Sequence, residues 1–409
     1  MAKIENCLSA ELSYTEECAL NKKRIGILTF HRSINYGAFM QAYSLSHYLL
    51  KKYPDCTVEI IDYENKTMHE HYKPKFSLVT FRHPIISAKK SKQYKQFQKE
   101  LNKIPLSKDY FQFDGKLDSF DKYIIDNYDI IIVGSDAVWN WVKRGFPNPY
   151  ILDFDGPLKM SYAASAYGMD YLKQEETNLT HFADCINRIE YVGVRDHYTA
   201  DFITNITSGM VKPEINCDPT FFLDMKEVAD DAFPGSDNPS LDLKKKYHIP
   251  LDKKIIGVME ADTHAIIELR KQFKDYYFVS LFNHTRATDL FLGDLSPCEW
   301  ALVFGMFELT LTNYYHGTLL SLVNDTPVIS SDRTAFSKIH LGKIPDVMEK
   351  MGLSDCCFVG GASNATMINK IEEILNNRTK YVKKIQDGKK VLLAERASFD
   401  NAIEKIMVN

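Results

Sequence analysis

The tightest constraint on the fold of this chain is its stretch 308–330, ELTLTNYYHGTLLSLVNDTPVIS. Leu309 and Leu311 alternate with Thr310 and Thr312, the period-2 pattern of a strand. Leu319, Leu322 and Val323 then recur at helical spacing, and a short second strand, Thr326-Pro-Val-Ile, follows at once. Between the first strand and the helix lies Asn313-Tyr-Tyr-His-Gly-Thr. That is the carboxyl end of a strand, where open α/β sheets place their ligands. Gly317 lets backbone approach a ligand closely, and the first helical N–H groups face any anion there. His316 sits beside that positive helix end, which favours a neutral imidazole ready for proton transfer. A core or capping histidine is the competing reading.

A chain of 409 residues exceeds one comfortable core, so two domains are expected. A net charge of −4 gives no electrostatic reason to expect nucleic acid as a partner. The eight cysteines are scattered, with neither CxxC nor a zinc-like spacing, and read as free thiols of a reducing compartment. No basic-then-apolar leader is visible, and no apolar run reaches the roughly 18 residues of a membrane span. The expectation is a cytoplasmic protein.

The other strand ends carry similar loops. Arg24-Ile-Gly-Ile-Leu leads through His31-Arg-Ser-Ile-Asn-Tyr-Gly into a helix over 38–51, then the strand Val58-Glu-Ile-Ile. That is half of a doubly wound fold. Residues 64–108 break the pattern with an excess of Lys and Arg and a surface helix near 86–101. They read as a solvated insertion or a basic lid over an anionic ligand. Asp129-Ile-Ile-Ile-Val is a strand buried on both faces, ending in Gly134-Ser-Asp-Ala-Val-Trp-Asn. Acidic residues with Pro, Gly and Ser over 224–243 read as a linker. The division is then a polar extension 1–22, a first Rossmann-like domain 23–223, a second 244–364, and C-terminal helices 365–409 packing back across both. Ser296-Pro-Cys-Glu reads as a capping box. GxGxxG, the P-loop, HExxH and GxSxG are absent. Asp153-Phe-Asp155 is a lone D-x-D of the kind some metal-dependent sugar transferases use.

Seven blocks in order resemble the polysaccharide pyruvyl transferase family. They are Asn35-Tyr-Gly-Ala with Gln41-Ala, Gly134-Ser-Asp with Trp139-Asn140, Tyr162-Ala-Ala-Ser, Val192-Gly-Val-Arg-Asp, Asp218-Pro-Thr, Ser296-Pro-x-Glu-Trp, and Tyr315-His-Gly-Thr with Pro327-Val-Ile. The resemblance implies an α/β, GT-B-like architecture: two Rossmann-like doubly wound domains facing a central cleft. It implies a donor, phosphoenolpyruvate, whose pyruvyl group is attached as a cyclic ketal to a sugar of a cell-surface polysaccharide such as an exopolysaccharide, or of its lipid-linked precursor. Peripheral membrane contact would then be needed to reach a lipid-linked sugar, and neither metal nor cofactor is required in principle. On that reading His316 is the acid/base and Asp136 assists a sugar hydroxyl. Arg195, Gly317, Thr318 and Asn313 hold the donor; Asn35, Tyr36, Gly37, Ser135 and Trp139 face the acceptor. For Arg195 a structural ion pair with Asp196 or elsewhere competes, for Asp136 an N-cap, and for Trp139 core packing. Two positions depart from the pattern. Tyr314 stands where some members carry Arg, leaving Arg286, Arg333 or Lys338 to hold the donor carboxylate, and Ala38 stands where others carry Asp. A nucleotide-sugar glycosyltransferase and a non-catalytic glycan-binding relative are the alternatives.

Overall fold

The computed structural model describes residues 22–72, 84–259, 263–281, 285–332 and 342–408. The expected extension over 1–22 lies, but for its last residue, outside the described residues, as do Arg333 and Lys338. The first sheet comprises β1 (Arg24–Leu28), β2 (Thr57–Asn65), β3 (Leu106–Phe113), β4 (Ile130–Val133), β5 (Leu158–Ala164), β6 (Tyr191–Val194) and β7 (Glu214–Ile215). The second comprises β8 (Lys254–Met259), β9 (Tyr276–Leu281), β10 (Leu290–Leu292), β11 (Leu309–Thr312), β12 (Val328–Asp332) and β13 (Cys357–Val359). The order is β3-β2-β1-β4-β5-β6-β7 in one and β10-β9-β8-β11-β12-β13 in the other. Every pairing is parallel. Parallel strands need helices on both faces, so β4 is wholly buried and reads Ile-Ile-Ile-Val.

In both sheets the strand order reverses between a pair of neighbours, β1 and β4 in one, β8 and β11 in the other. Connections leave to opposite sides there and open a crevice at the carboxyl ends. Leu28 is level with Val133, and Thr312 with Met259, so the loops after paired strands emerge at one height.

Two segments, 64–108 and 224–243, differ from the sequence reading. The supposed insertion 64–108 is partly sheet: β2 runs to Asn65 and β3 begins at Leu106. Its helix Pro84–Glu100 is no free lid. Phe97 is buried and stacks on Tyr36, Lys89 Nζ donates to the Phe291 carbonyl, and Lys92 Nζ pairs with Asp294. Its basic charge serves the contact with the second domain. The linker 224–243 holds the helices Met225–Ala232 and Pro239–Lys246, capped by Asp224 and Asn238 and anchored by buried Val228 and Leu243. At the C-terminus the helix Ala397–Val408 lies on the first domain, with Phe399 against the rings of Tyr162 and Tyr191. The capping box forms as read: Ser296 accepts from the Glu299 N–H and the Glu299 carboxylate from the Ser296 N–H.

Candidate active site

The helix Tyr315–Val323 begins immediately after β11, with Tyr314 at its N-cap and no side chain capping it. Its first turn therefore leaves N–H groups without intrahelical acceptors. The turn is pressed onto the strand ends: a Cβ on Gly317 would meet Thr312 Oγ1 at 2.7 Å and Met259 Sδ at 2.8 Å. Glycine here lets helix and strand approach, and that side offers no room for a ligand. Thr318 is buried, its N–H donating to the Tyr314 carbonyl and its hydroxyl shared between that carbonyl and Ser330. Neither group is left for a donor anion, which corrects the reading of Thr318. Asn313 is partly buried in the same loop.

His316 reaches across to the first domain. A Cβ on Gly37 would lie 2.1 Å from both Cγ and Nδ1 of its ring, so the imidazole rests on bare Gly37 backbone. Gly37 opens the helix Tyr36–Lys52, whose N-cap Asn35 accepts from the N–H groups of Gly37 and Ala38. The glycine read as facing an acceptor thus makes room for the histidine, and Asn35 fixes the helix start beneath it. The loops after β1 and β11, from two domains, meet at one point.

Arg195 follows β6, and Asp218 follows β7. Arg195 is buried; its Nη1 donates to Asp218 Oδ2 at 3.0 Å and its Nη2 lies 3.7 Å from Asp136 Oδ1. Asp218 Oδ1 accepts from the N–H and hydroxyl of Thr220 at 2.9 and 2.6 Å, which fixes the carboxylate. His316 Nε2 lies 3.9 Å from Asp218 Oδ2, so one carboxylate stands between guanidinium and imidazole. Asp196, the neighbour that could have paired Arg195, instead caps the next helix and accepts from Ser165. Asp136 has φ +77°, a region aspartate tolerates because its side chain bonds locally; here Oδ1 accepts from the Ala137 N–H. Within this site two buried atoms, Arg195 Nε and His316 Nε2, have no hydrogen-bond partner among the described residues. Buried donors without partners are rare and call for an explanation.

Burial holds the His316 pKa below its usual value, Arg195 and Lys343 push the same way, and Asp218 and Asp136 oppose them. Its imidazole is therefore neutral at pH 7. Burial alone would raise Asp136, but Arg195, His316 and Lys343 outweigh it and hold its carboxyl below the usual range. Arg195 goes above its usual value despite burial, because Tyr315, Asp218 and Asp136 favour its charge.

Sequence reasoning passed over Lys343 and Tyr315. The buried Tyr315 ring has the Arg195 guanidinium 4.9 Å and Lys343 Nζ 5.0 Å from its centre. Lys343 opens the helix Lys343–Lys350 after β12, in a segment that carries no recognisable block. Asp218 was visible only as Asp-Pro-Thr, which reads equally well as a helix cap.

Three acceptor assignments are corrected. Trp139 is fully buried, donates Nε1–H to the Tyr150 carbonyl and packs on Phe182, so it presents no face to a sugar. Ser135 is fully buried, its hydroxyl bonded to the Ala163 carbonyl and its N–H to Gln41. Tyr36 is buried at the domain junction, its hydroxyl donating to the Leu295 carbonyl at 2.5 Å. Arg286 is exposed after β9. Of the D-x-D aspartates, Asp155 is exposed and Asp153 is partly buried. Asp153 shares a 4.8 Å neighbourhood with His181 and Cys185, but Lys116 and Arg188 already neutralise it. A carboxylate engaged by two cations is a poor metal ligand.

The sequence model of the family described as polysaccharide pyruvyl transferase matches residues 35–333. The chain belongs to this family. Among curated protein sequences none matches. Among solved structures, the fold resembles the UDP-GlcNAc 2-epimerase of Neisseria meningitidis, at TM-score 0.56 and 9% identity over 94% of this chain and 100% of that one. A putative UDP-N-acetylglucosamine 2-epimerase from Listeria monocytogenes gives 0.55 and 11%, covering 89% and 91%. A glycosyltransferase from Rickettsia africae gives 0.51 and 12%, covering 95% and 99%. These likenesses establish a two-domain, Rossmann-like GT-B fold. No helix among the described residues of this pyruvyl transferase family member is long and apolar enough to cross a membrane.

Proposed function

We propose that this protein transfers the pyruvyl group of phosphoenolpyruvate to a saccharide as a cyclic ketal, in the cytoplasmic assembly of a cell-surface polysaccharide. The observation that carries the reading is the pairing of two orphaned buried atoms, His316 Nε2 and Arg195 Nε, where the domains meet at both switch points. A guanidinium suits the donor's phosphate or carboxylate oxygens, and a neutral imidazole suits the proton movements.

The reaction must deliver a proton to the vinyl carbon, leaving C2 open to attack as an oxocarbenium-like centre. One sugar hydroxyl bonds to C2, the C2–O bond to phosphate breaks, and a second hydroxyl closes the ketal. Two hydroxyl protons are released; one ends on the new methyl group and the other on phosphate. His316, neutral before reaction, first takes the proton of an acceptor hydroxyl; the imidazolium so formed protonates the vinyl carbon as that oxygen bonds to C2, and the ring then carries the second hydroxyl's proton to the leaving phosphate. Asp218 at 3.9 Å favours the transient imidazolium, and Asp136 adds to the same field. The acceptor is a saccharide or lipid-linked saccharide.

Thermal shift separates this donor from a nucleotide sugar. Phosphoenolpyruvate at about 100 times its dissociation constant should stabilise the protein by about 2.7 kcal/mol. Uridine diphosphate should do little. The reverse order of effects would replace the pyruvyl donor with a nucleotide sugar in the same cleft.

A further inference from the structure

We propose that Lys343 is the second anion anchor of this site, working with Arg195 to bind a donor that carries two anionic groups. The inference rests on the phosphoenolpyruvate reading and adds a residue to it. Phosphoenolpyruvate presents a phosphate and a carboxylate, and a single guanidinium serves one of them. Tyr314, where some family members place an arginine, cannot supply the second cation.

Lys343 is poorly placed for a structural lysine. It occupies the first turn of the helix Lys343–Lys350, beside the positive end of the helix dipole, where a cation is disfavoured. Burial and the nearby Arg195 further disfavour its charge and hold its pKa below the usual value. Asp136, Asp196 and Asp218 oppose that shift from a distance. Of the other charged groups on its own helix, Asp346 and Lys350 pair with each other and Glu349 is exposed. Lys350 also pairs with Glu395. Among the described residues Lys343 itself has neither a hydrogen bond nor an ion pair; its Nζ has only the Tyr315 ring, 5.0 Å from the centre. Arg195 lies against that same ring at 4.9 Å. Two cations gather on one buried aromatic: Lys343, with no ion pair among the described residues, and Arg195, paired to Asp218 through Nη1 but with an orphaned Nε, and together they leave N–H groups that an anion would complete. Lysine acts there as a point charge, suited to phosphate, while the guanidinium fork suits carboxylate or phosphate.

The position of Lys343 explains how this chain dispenses with an arginine at 314. Lys343 enters from the segment after β12, whereas residue 314 precedes the helix after β11.

The test is calorimetric titration of phosphoenolpyruvate, with inorganic phosphate as a second probe, into wild type, Lys343→Met and Lys343→Arg. Unliganded melting temperatures are recorded in parallel. Lys343→Met should weaken phosphoenolpyruvate binding by about tenfold or more, as loss of a charge-assisted contact does. Lys343→Arg should recover most of it. The unliganded Lys343→Met protein should melt no lower than wild type, because a cation without an ion pair among the described residues has been replaced by an apolar side chain of similar length. A structural lysine would give the opposite pattern: a lower melting temperature and unchanged donor affinity. Wild-type binding of phosphoenolpyruvate retained by Lys343→Met overturns the role of Lys343 and leaves the donor standing. Failure of wild type to bind phosphoenolpyruvate, with Lys343-dependent binding of inorganic phosphate, overturns the donor and keeps Lys343 as an anion anchor. Binding of neither overturns both.

Discussion

At the residue scale the site depends on one close approach, the His316 ring lying against the backbone of Gly37. Gly37→Ala places a methyl carbon 2.1 Å from Cγ and Nδ1, so the ring must move. A displacement of about 1 Å in a catalytic group costs on the order of 100-fold in rate. Gly37→Ala should therefore lower kcat by about that factor, at a stability cost of about 1–3 kcal/mol from overpacking. Steady-state kinetics and melting curves check this; full activity would show that His316 need not hold its place. The same ring sets a pH dependence. Its folded pKa lies below 6.5, so below that pH the unfolded chain takes up the proton first and stability falls. His316→Gln should flatten this component of melting temperature between pH 5 and about 6.5. His316 and Asp136 were singled out in loops beyond apolar strands, and Arg195 through the family block Val192-Gly-Val-Arg-Asp. Trp139, Ser135 and Tyr36 stand in the same kind of loop and were misread. Whether such a side chain turns to cleft or core is settled by partners such as the Tyr150 and Leu295 carbonyls, which are remote or unmarked in sequence.

At the scale of elements, local chemistry was legible wherever it is self-contained. The box at Ser296 needs only residues three apart, and it forms. Ser296→Ala should cost about 1 kcal/mol, read as a lower denaturation midpoint with unchanged slope. The cost is reinforced because Glu299 is buried and also receives Tyr247 OH at 2.8 Å. Segments whose order comes from elsewhere were not legible. β3 is the edge strand of its sheet, with an irregular sequence, and pairs β2 through a register shift between Ile60 and Asp62. The lysines of the helix Pro84–Glu100 looked like a solvated charge run, yet Lys89 and Lys92 reach Phe291 and Asp294, about two hundred positions on. Lys343 escaped notice for the same reason: its chemistry exists only beside Arg195 and Tyr315.

For the whole molecule, two parallel sheets with reversing strand order bring to one junction residues that follow β1, β4, β6, β7, β11 and β12. The alternation of apolar strands and amphipathic helices made that architecture readable, because burial on both faces forces apolar runs. The junction is tied by the Tyr36–Leu295 bond, by the helix Pro84–Glu100, and by the return of Ala397–Val408 to the first domain. His316 from the second domain thereby sits among Gly37, Asp136 and Arg195 of the first. On the proposed function, this junction moves a pyruvyl group with His316 as its acid/base. The measurement that tests it most directly is phosphate release from phosphoenolpyruvate, with glycans and lipid-linked sugars of the host as acceptors, for wild type and His316→Ala. Wild type should show acceptor-dependent release, and His316→Ala should lower it by at least about 100-fold. Equal release by the two proteins would contradict that role of His316.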